Sequence, residues 1–581
     1  MGTISDKLIR IINTKEDIRQ ALISKGYDVP TSIPFKEYAK MILDLPCNAD
    51  SFPDIEGIVA RYSASGITNE QMAANPVWVD KTGNGRDLQL KNFSWKGMSG
   101  VGGYVGDFSK WVNNRDTTEI GITKSNSKVI IDVKVSQGSG KNIVFISKSN
   151  LGISNNVTIK ITSTYPEGVM KFANSASNKY LKLPSNGIIT LQDNPEYTSN
   201  EMHLHLASAD LGQITIEQLP LYPGALVFDG VDDYGTCDNF PVLTKEKGYT
   251  VVALRQWITR GEIAQGLVSN VKNWLKDGAF LLEYRNIQAD HLNKPISFGA
   301  IGSEMDLPHI LTYQTSKSYN GVSITTGNFE GTDVLHVGKL APTNVGTCIN
   351  AAIWELVFLD HDATEEELTK IKDYFVKTYP WLFPDQAWTV VGKTNEDEDR
   401  TTIANITGNG NNLVLSNFGF IEGSGYNKEG EYAGYLVTDG VDDKIVSSVF
   451  IMGKDFTIVG DWKFIDNKKS GTGLVKGSSF YIYNTMTGLD LYINSGSVKN
   501  SLDGIKSINA ACSDGRAYDR NWNEILANTG NVVGSGGMLE VSSSGGRFDR
   551  IAFKNLAIYP RILSKDDCIK AYNYLQTLKS K

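Results

Sequence analysis

Two stretches of this 581-residue chain carry clustered carboxylates at one spacing, Asp229-Gly230-Val231-Asp232-Asp233 and Asp439-Gly440-Val441-Asp442-Asp443. Carboxylates this close suit a hard cation, so Asp229, Asp232, Asp233, Asp439, Asp442 and Asp443 are candidate ligands for calcium, the one cofactor the sequence suggests. The same letters spell a hairpin turn, since Asp-Gly favours one, and the offsets lack the ligand count of a known calcium loop. The turn is the simpler reading. A denser acidic run, Asn395-Glu396-Asp397-Glu398-Asp399, has the residue type that glycoside hydrolysis needs, two carboxyl groups flanking one bond. A solvated acidic loop explains it as well, because the repeat described below aligns it with Asn69-Glu70-Gln71-Met72, which lacks that acid pattern. His203 and His205 would share a strand face, as metal ligands can, but no further His or Cys lies near them in sequence. No HExxH, GxSxG or P-loop pattern occurs, and no catalytic residue is assigned.

Aromatic side chains beside Asp and Asn can stack on sugar rings. Trp95, Tyr104, Trp111 and Trp274 stand in loop-like contexts and are the candidate glycan contacts, with core packing as the ordinary alternative. Net charge is −8 with no dense Lys/Arg run, which argues against a nucleic-acid partner. No apolar stretch is long enough to insert in a membrane, and the first residues do not read as a signal peptide. The five cysteines are scattered, odd in number and without CxxC spacing, so buried free thiols are expected rather than a disulfide framework or a zinc site.

What positions these residues is a repeat. Tyr62, Gly66 and Thr68-Asn69-Glu70 recur as Trp388, Gly392 and Thr394-Asn395-Glu396. Thr82-Gly83-Asn84-Gly85 with Leu88, Leu90 and Asn92-Phe93 recurs as Thr407-Gly408-Asn409-Gly410 with Leu413, Leu415 and Asn417-Phe418. The two Asp-Gly-Val-Asp-Asp clusters follow. Last, Leu356, Phe358, Leu368, Tyr374 and Phe375 recur as Leu556, Ile558, Cys568, Tyr574 and Leu575. Between the Asn-Phe pair and the Asp cluster the first copy holds 115 more residues than the second, whereas the other joints shift by ten or fewer. The first copy therefore carries a domain-sized insertion, which an exposed loop accommodates most readily.

The insertion is rich in β-branched runs, at 128–135, 142–146, 157–161, 188–191, 202–206 and 213–216, and reads as a small antiparallel sandwich. Each repeat closes with an apolar strand, 352–359 or 550–559, and a capped helix opening at Thr364 or Ser564. Residues 379–384 read as a linker between copies, and 45–53 as another. Residues 5–45 read as helical, and Leu8, Ile11, Ile12, Ile18 and Leu22 form an apolar stripe for oligomerisation or anchoring.

Leu226-Val227-Phe228-Asp229-Gly230-Val231-Asp232-Asp233-Tyr234 resembles the signature of laminin-G-like, concanavalin-type jelly rolls. The later strand with Tyr249-Thr250-Val251-Val252 and Trp257, matched by Phe456-Thr457-Ile458-Val459 and Trp462, strengthens the resemblance. Thr438 and Lys444 depart from Phe228 and Tyr234 in the second copy. The stretch from Lys15-Glu16-Asp17-Ile18 through Pro34-Phe35-Lys36-Glu37-Tyr38-Ala39 is similar to the start of bacteriophage fibre and virion-decoration proteins, where such a segment precedes lectin-like modules. The implied architecture is mainly β: two concanavalin-like jelly-roll β-sandwiches, one carrying an inserted small β-sandwich, after a short helical N-terminal segment. Its divisions are 1–48, a first jelly roll at 53–108 and 223–384, the insertion at 109–222, and a second jelly roll at 385–581. The resemblance implies a non-enzymatic virion structural protein: a head or tail fibre, or a capsid decoration. It would be made in the host bacterial cytoplasm and displayed on the virion surface. Its partners would be other virion proteins, further copies of itself in a dimer or trimer, and a host surface glycan. A dedicated host-glycan adhesin and a glycoside hydrolase on the same fold are the alternatives.

Overall fold

The computed structural model describes Lys15, Arg19 and residues 52–110, 112–113, 120–135, 143–148, 157–165, 170–174, 180–182, 185–191, 201–206, 211–244, 246–259, 265–270, 281–284, 310–323, 332–339, 348–430, 432–465, 472–476, 480–484, 488–493, 501–503, 507–526, 536–541, 543–544 and 547–580. By contacts the chain divides into two units, residues 1–55 with 366–374, and residues 56–365 with 375–581. In the smaller unit Lys15 and Arg19 are helical, and Phe52 meets Tyr374 edge to face at 4.9 Å. The stripe residues Leu8, Ile11, Ile12, Ile18 and Leu22 lie outside the described residues.

The larger unit is mainly β, in antiparallel sheets, and its long strands organise everything. Asn350–Leu359 is an unbroken apolar run apart from Asn350 and Glu355, and nine of its ten residues are buried. A strand hidden on both faces must read this way. It pairs antiparallel with Ile58–Ser63, Leu226–Asp229 and Thr250–Trp257 at the centre of an eight-stranded sheet. A six-stranded sheet built around Leu88–Lys91, Tyr234–Cys237 and Leu335–Val337 faces it. Tyr62, Trp78, Leu88, Leu90, Phe228, Val251, Ile353 and Phe358 fill the space between. The second copy repeats the plan with two eight-stranded sheets, one centred on Ile551–Tyr559, over a core of Trp388, Leu413, Leu415, Ile458, Trp462, Phe553 and Leu556.

The copies share irregularities as well as strands. Leu254 pairs with Glu355 and Arg255 with Ile353, so Trp354 is bulged. Asp461 pairs with Asn555 and Trp462 with Phe553, so Lys554 is bulged. A bulge turns side chains out of the alternating pattern, and in both copies a fully buried polar residue, Glu355 or Asn555, follows it.

The insertion forms two five-stranded sheets. One orders Tyr180–Lys182, Met170–Asn174, Glu201–Leu206, Ile143–Lys148 and Val112–Asn113, and the other Asn186–Leu191, Val157–Ser163, Gly212–Gln218, Lys128–Val133 and Ile120–Lys124. Val129, Ile131, Ile159, Ile161, Ile214 and Ile216 are buried, as strand alternation requires. The host reclaims the chain before residue 222. Leu221 and Tyr222 donate backbone N–H groups to the carbonyls of Gly103 and Gly102 at 3.0 and 2.8 Å, and the Tyr222 ring packs on Trp354.

The linker expected at 379–384 is instead a joint. Pro380–Leu382 is a short 3-10 turn with Trp381 and Leu382 buried. The Tyr559 hydroxyl donates to the Trp381 carbonyl at 2.9 Å, Lys570 sits 4.2 Å over the Trp381 ring, and Arg561 donates to the Val376 carbonyl at 3.2 Å. Aromatic residues made this segment too costly to leave in water. The closing helix Lys565–Gln576, N-capped by Ser564, buries Ile569, Tyr572, Asn573 and Leu575. Asn573 accepts from Thr158 of the insertion at 2.7 Å and donates to the Pro220 carbonyl. Gln256 of the first sandwich donates to Thr577 at 3.0 Å.

Candidate functional site

The polar residues shared by the two copies fall mostly into structural roles. Asn69 follows the N-cap of the helix Asn69–Ala74, where Thr68 and Gln71 form a capping box; the T-x-x-Q spacing carries that signal. The Asn69 amide clamps Val101, accepting from its N–H at 2.7 Å and donating to its carbonyl at 3.1 Å. Asn395 clamps Tyr426 in the same way at 2.7 and 3.0 Å. The glycine before each clamped residue makes room: a Cβ at Gly100 or Gly425 would lie 2.5 Å from the Asn69 or Asn395 Oδ1. Thr82 and Thr407 bond to Asp80 and Asn405 inside tight turns.

The two carboxylate clusters have one geometry. The Asp233 carboxylate accepts from the Asp229 N–H at 3.1 Å and from the Ser99 hydroxyl at 3.0 Å. Asp443 accepts from the Asp439 N–H at 2.7 Å and from Ser424. Asp229 and Asp439 each accept from the valine N–H two residues on, at 2.8 and 2.7 Å. Asn92 and Asn417 donate to the carbonyls of Asp232 and Asp442 at 3.0 Å. Gly230 and Gly440 take φ of 81° and 74°, which only glycine adopts freely. This is an Asx turn stitched by a buried carboxylate. In each cluster ligand oxygens of the three aspartates lie within 4.8 Å of one another. Burial, reinforced by the Asp229 charge, pushes Asp233 up to about 7, and burial pushes Asp443 up to about 6. The arrangement can therefore take a proton or a hard cation.

The acidic run is engaged in ion pairs and turns. Glu396 pairs with Lys428 at 2.9 Å, Asp397 accepts from the Thr394 N–H and hydroxyl at 2.9 and 2.7 Å, and Asp399 pairs with Lys393 at 2.5 Å. Hydrogen bonds from Lys428 and from Thr394 hold Glu396 and Asp397 below the ordinary carboxylate range. A glycosidase acid needs the opposite shift.

Of the candidate aromatics, Trp95 precedes the tight turn closed between Lys96 and Ser99, and Tyr104 returns to that turn by donating its N–H to the Gly97 carbonyl at 2.7 Å. Both stand outside helix and strand, as their loop-like sequence contexts suggested, and both are half-buried. Trp95 stacks on Phe93 at 4.8 Å, with φ of 55°, because its ring closes the edge of the first core. Phe420 takes its place in the second copy at φ of 52°, under the Arg400 guanidinium. Burial pushes the Tyr104 phenol up to about 12. Trp111 and Trp274 lie outside the described residues. His203 and His205 occupy alternate positions of Glu201–Leu206. Cys237, Cys348, Cys512 and Cys568 are buried and form no disulfide; Cys47 lies outside the described residues.

Sequence reasoning passed over a buried ion pair. Arg61 reaches Glu355 at 2.9 Å with both side chains buried, and the Tyr379 hydroxyl donates to Glu355 at 2.9 Å. The signal was present, since each is the lone charge in an apolar strand. In the second copy the corresponding polar knot is Asp461 with Arg520 and Tyr435 at 3.2 and 3.0 Å.

No family model matches the chain, and no curated protein matches it. Among solved structures it is similar to the Trypanosoma rangeli sialidase in complex with sialic acid, with 9% identity and a TM-score of 0.23, covering 81% of this chain and 86% of that one. It is similar also to the botulinum neurotoxin serotype D binding domain, with 11% identity and a TM-score of 0.23, covering 60% of this chain and 89% of that one. At these scores the likeness bears on neither function nor site. Among the described residues no helix is long and apolar enough to cross a membrane.

Proposed function

We propose that this chain is a non-enzymatic bacteriophage virion structural protein, a head or tail fibre or a capsid decoration, whose jelly rolls face outward on the virion surface. Its N-terminal segment anchors it to another virion protein or assembles it with further copies of itself. The observation that carries the non-enzymatic part is the fate of the acids. Glu396, Asp397 and Asp399 are engaged by Lys428, Thr394 and Lys393, and the shared Asn69 and Asn395 clamp backbone. The virion part rests on the resemblance of residues 15–39 to fibre starts. A gold-tagged chain should label phage particles at one type of position in electron micrographs, and label absent from intact particles would remove the virion assignment. Purified protein should release no reducing ends from host polysaccharide. Release that is abolished by Glu396→Gln or Glu398→Gln would make it a hydrolase.

A host-glycan adhesin is the second reading, favoured by Trp95 and Tyr104 standing half-buried on either side of one turn, to which the Tyr104 N–H bonds. Host polysaccharide should then quench Trp fluorescence in the wild type and not in Trp95→Ala.

A further inference from the structure

The six-stranded sheet of the first sandwich turns a row of polar side chains away from its core. Leu88, Leu90, Cys237, Leu335 and Val337 belong to that core, so strand alternation puts Gln89, Thr236 and His336 on the opposite face. The register lines them up: Gln89 lies opposite Thr236, Thr236 opposite His336, and His336 opposite Ser269. Burial deepens along the row. Gln89 is exposed and Thr236 half-buried, whereas His336 is only 3% exposed and Ser269 is wholly buried. The row is open at Gln89 and closed at Ser269. Toward the closed end, neither ring nitrogen of His336 meets a hydrogen-bond partner among the described residues. An imidazole buried in this way has given up water with nothing in return. Burial also pushes its pKa down to about 4, so the neutral ring presents one N–H donor and one lone pair.

The second copy builds the same sheet with a different row. Val414 lies opposite Val446, and Val446 opposite Glu540. Val414 is exposed, and Val446 and Glu540 are half-buried, so burial does not deepen along this row as it does in the first copy. The polar series therefore belongs to the first copy and not to the sandwich plan.

We propose that the row Gln89, Thr236 and His336 is a binding cleft for a neutral, hydroxyl-rich ligand, a glycan unit that enters at Gln89 and ends on His336. A sugar hydroxyl donates and accepts at once, which matches an imidazole with both nitrogens unpartnered, and Thr236 and Gln89 offer a donor and an acceptor to the next hydroxyls. The row carries no charge of its own, and the charges that act on His336, Asp238 and Lys339, are of opposite sign. A neutral glycan suits it better than an anionic one. The proposal rests on the glycan-binding reading and gives that reading residues other than Trp95 and Tyr104.

The test titrates the full chain calorimetrically with neutral hexasaccharides of glucose, mannose and galactose, and with an oligosialic acid. A neutral hexasaccharide should bind the wild type. It should bind about tenfold more weakly to His336→Leu and to Gln89→Val with Thr236→Val, as loss of a hydrogen bond predicts. The double variant installs the second copy's residues, so it keeps the test open should His336→Leu fail to fold; thermal midpoints check both. Equal affinity in the folded variants overturns the cleft and leaves the glycan reading standing. Binding of the oligosialic acid alone overturns the neutral cleft. Binding to none of the probes overturns the cleft and the glycan reading together.

Discussion

At the scale of single residues, the chain uses its polar groups to hold backbone. Asp233 and Asp443 show this in a form that pH can read. Both are raised above the ordinary aspartate value, to about 7 and about 6, so the folded state keeps protons that the unfolded state has lost. Stability should therefore fall as pH rises from about 4 to about 7 and level off above that. Asp233→Asn and Asp443→Asn should flatten the slope of thermal midpoint against pH. An unchanged slope in the double variant would assign it elsewhere. Calcium at pH 8 separates the two uses of the cluster: a rise in midpoint lost in both variants marks a cation site, and no rise leaves the turn. Arg61 and Glu355 make the second case. Arg61→Met alone should cost about 3–5 kcal/mol, because it strands a buried carboxylate, while Arg61→Met with Glu355→Leu should recover much of that. Urea unfolding of the single and double variants measures the difference, and equal losses would remove the pairing argument.

At the scale of elements, the repeat made the large features legible and left the joints hidden. The strands around Phe228, Val251 and Phe358 follow from apolar pattern, and the closing helix follows from Ser564 and the spacing of Ile569, Tyr572 and Leu575. Residues 379–384 did not announce their burial, since Pro-rich letters suit a linker and a docked turn equally. Asn573 was silent too: a single amide on a helix gives no sign of a partner 415 residues away. The candidate site was legible as letters and only partly as chemistry, because whether a carboxylate is engaged depends on Ser99, Ser424 and Lys428, which lie far off in sequence. The insertion supplies the test. With residues 109–218 replaced by a Gly/Ser linker, Leu221 and Tyr222 stay in place and the first sandwich should still unfold cooperatively. The closing helix loses Thr158, so stability should drop by about 1–3 kcal/mol. Collapse of the host would make the insertion part of its core.

For the whole molecule, the anchoring proposal concerns residues 1–46. A segment that short buries too little surface to fold alone. Exposing Leu8, Ile11, Ile12, Ile18 and Leu22 would forfeit roughly 1.5–3 kcal/mol for each side chain, which argues for a covering partner. Light scattering of full-length protein and residues 47–581 should show a drop in assembly state on truncation, reproduced by Ile11→Asp with Ile18→Asp. Unchanged mass together with normal entry into particles would remove the anchoring role.

The bond between Asn573 and the Pro220 carbonyl spans 353 residues, and synthesis gives that span a duration. A ribosome adding about 5–20 residues per second takes roughly 20–70 s to pass from one to the other. For that time the insertion and first sandwich can fold while the face that receives the closing helix stays open to water. The nascent chain thus has a window in which chaperones or proteases can engage that face, and it closes only when the helix is made. Pulse-labelled chains stalled before residue 564 should be cut more readily in the insertion than chains released after residue 580.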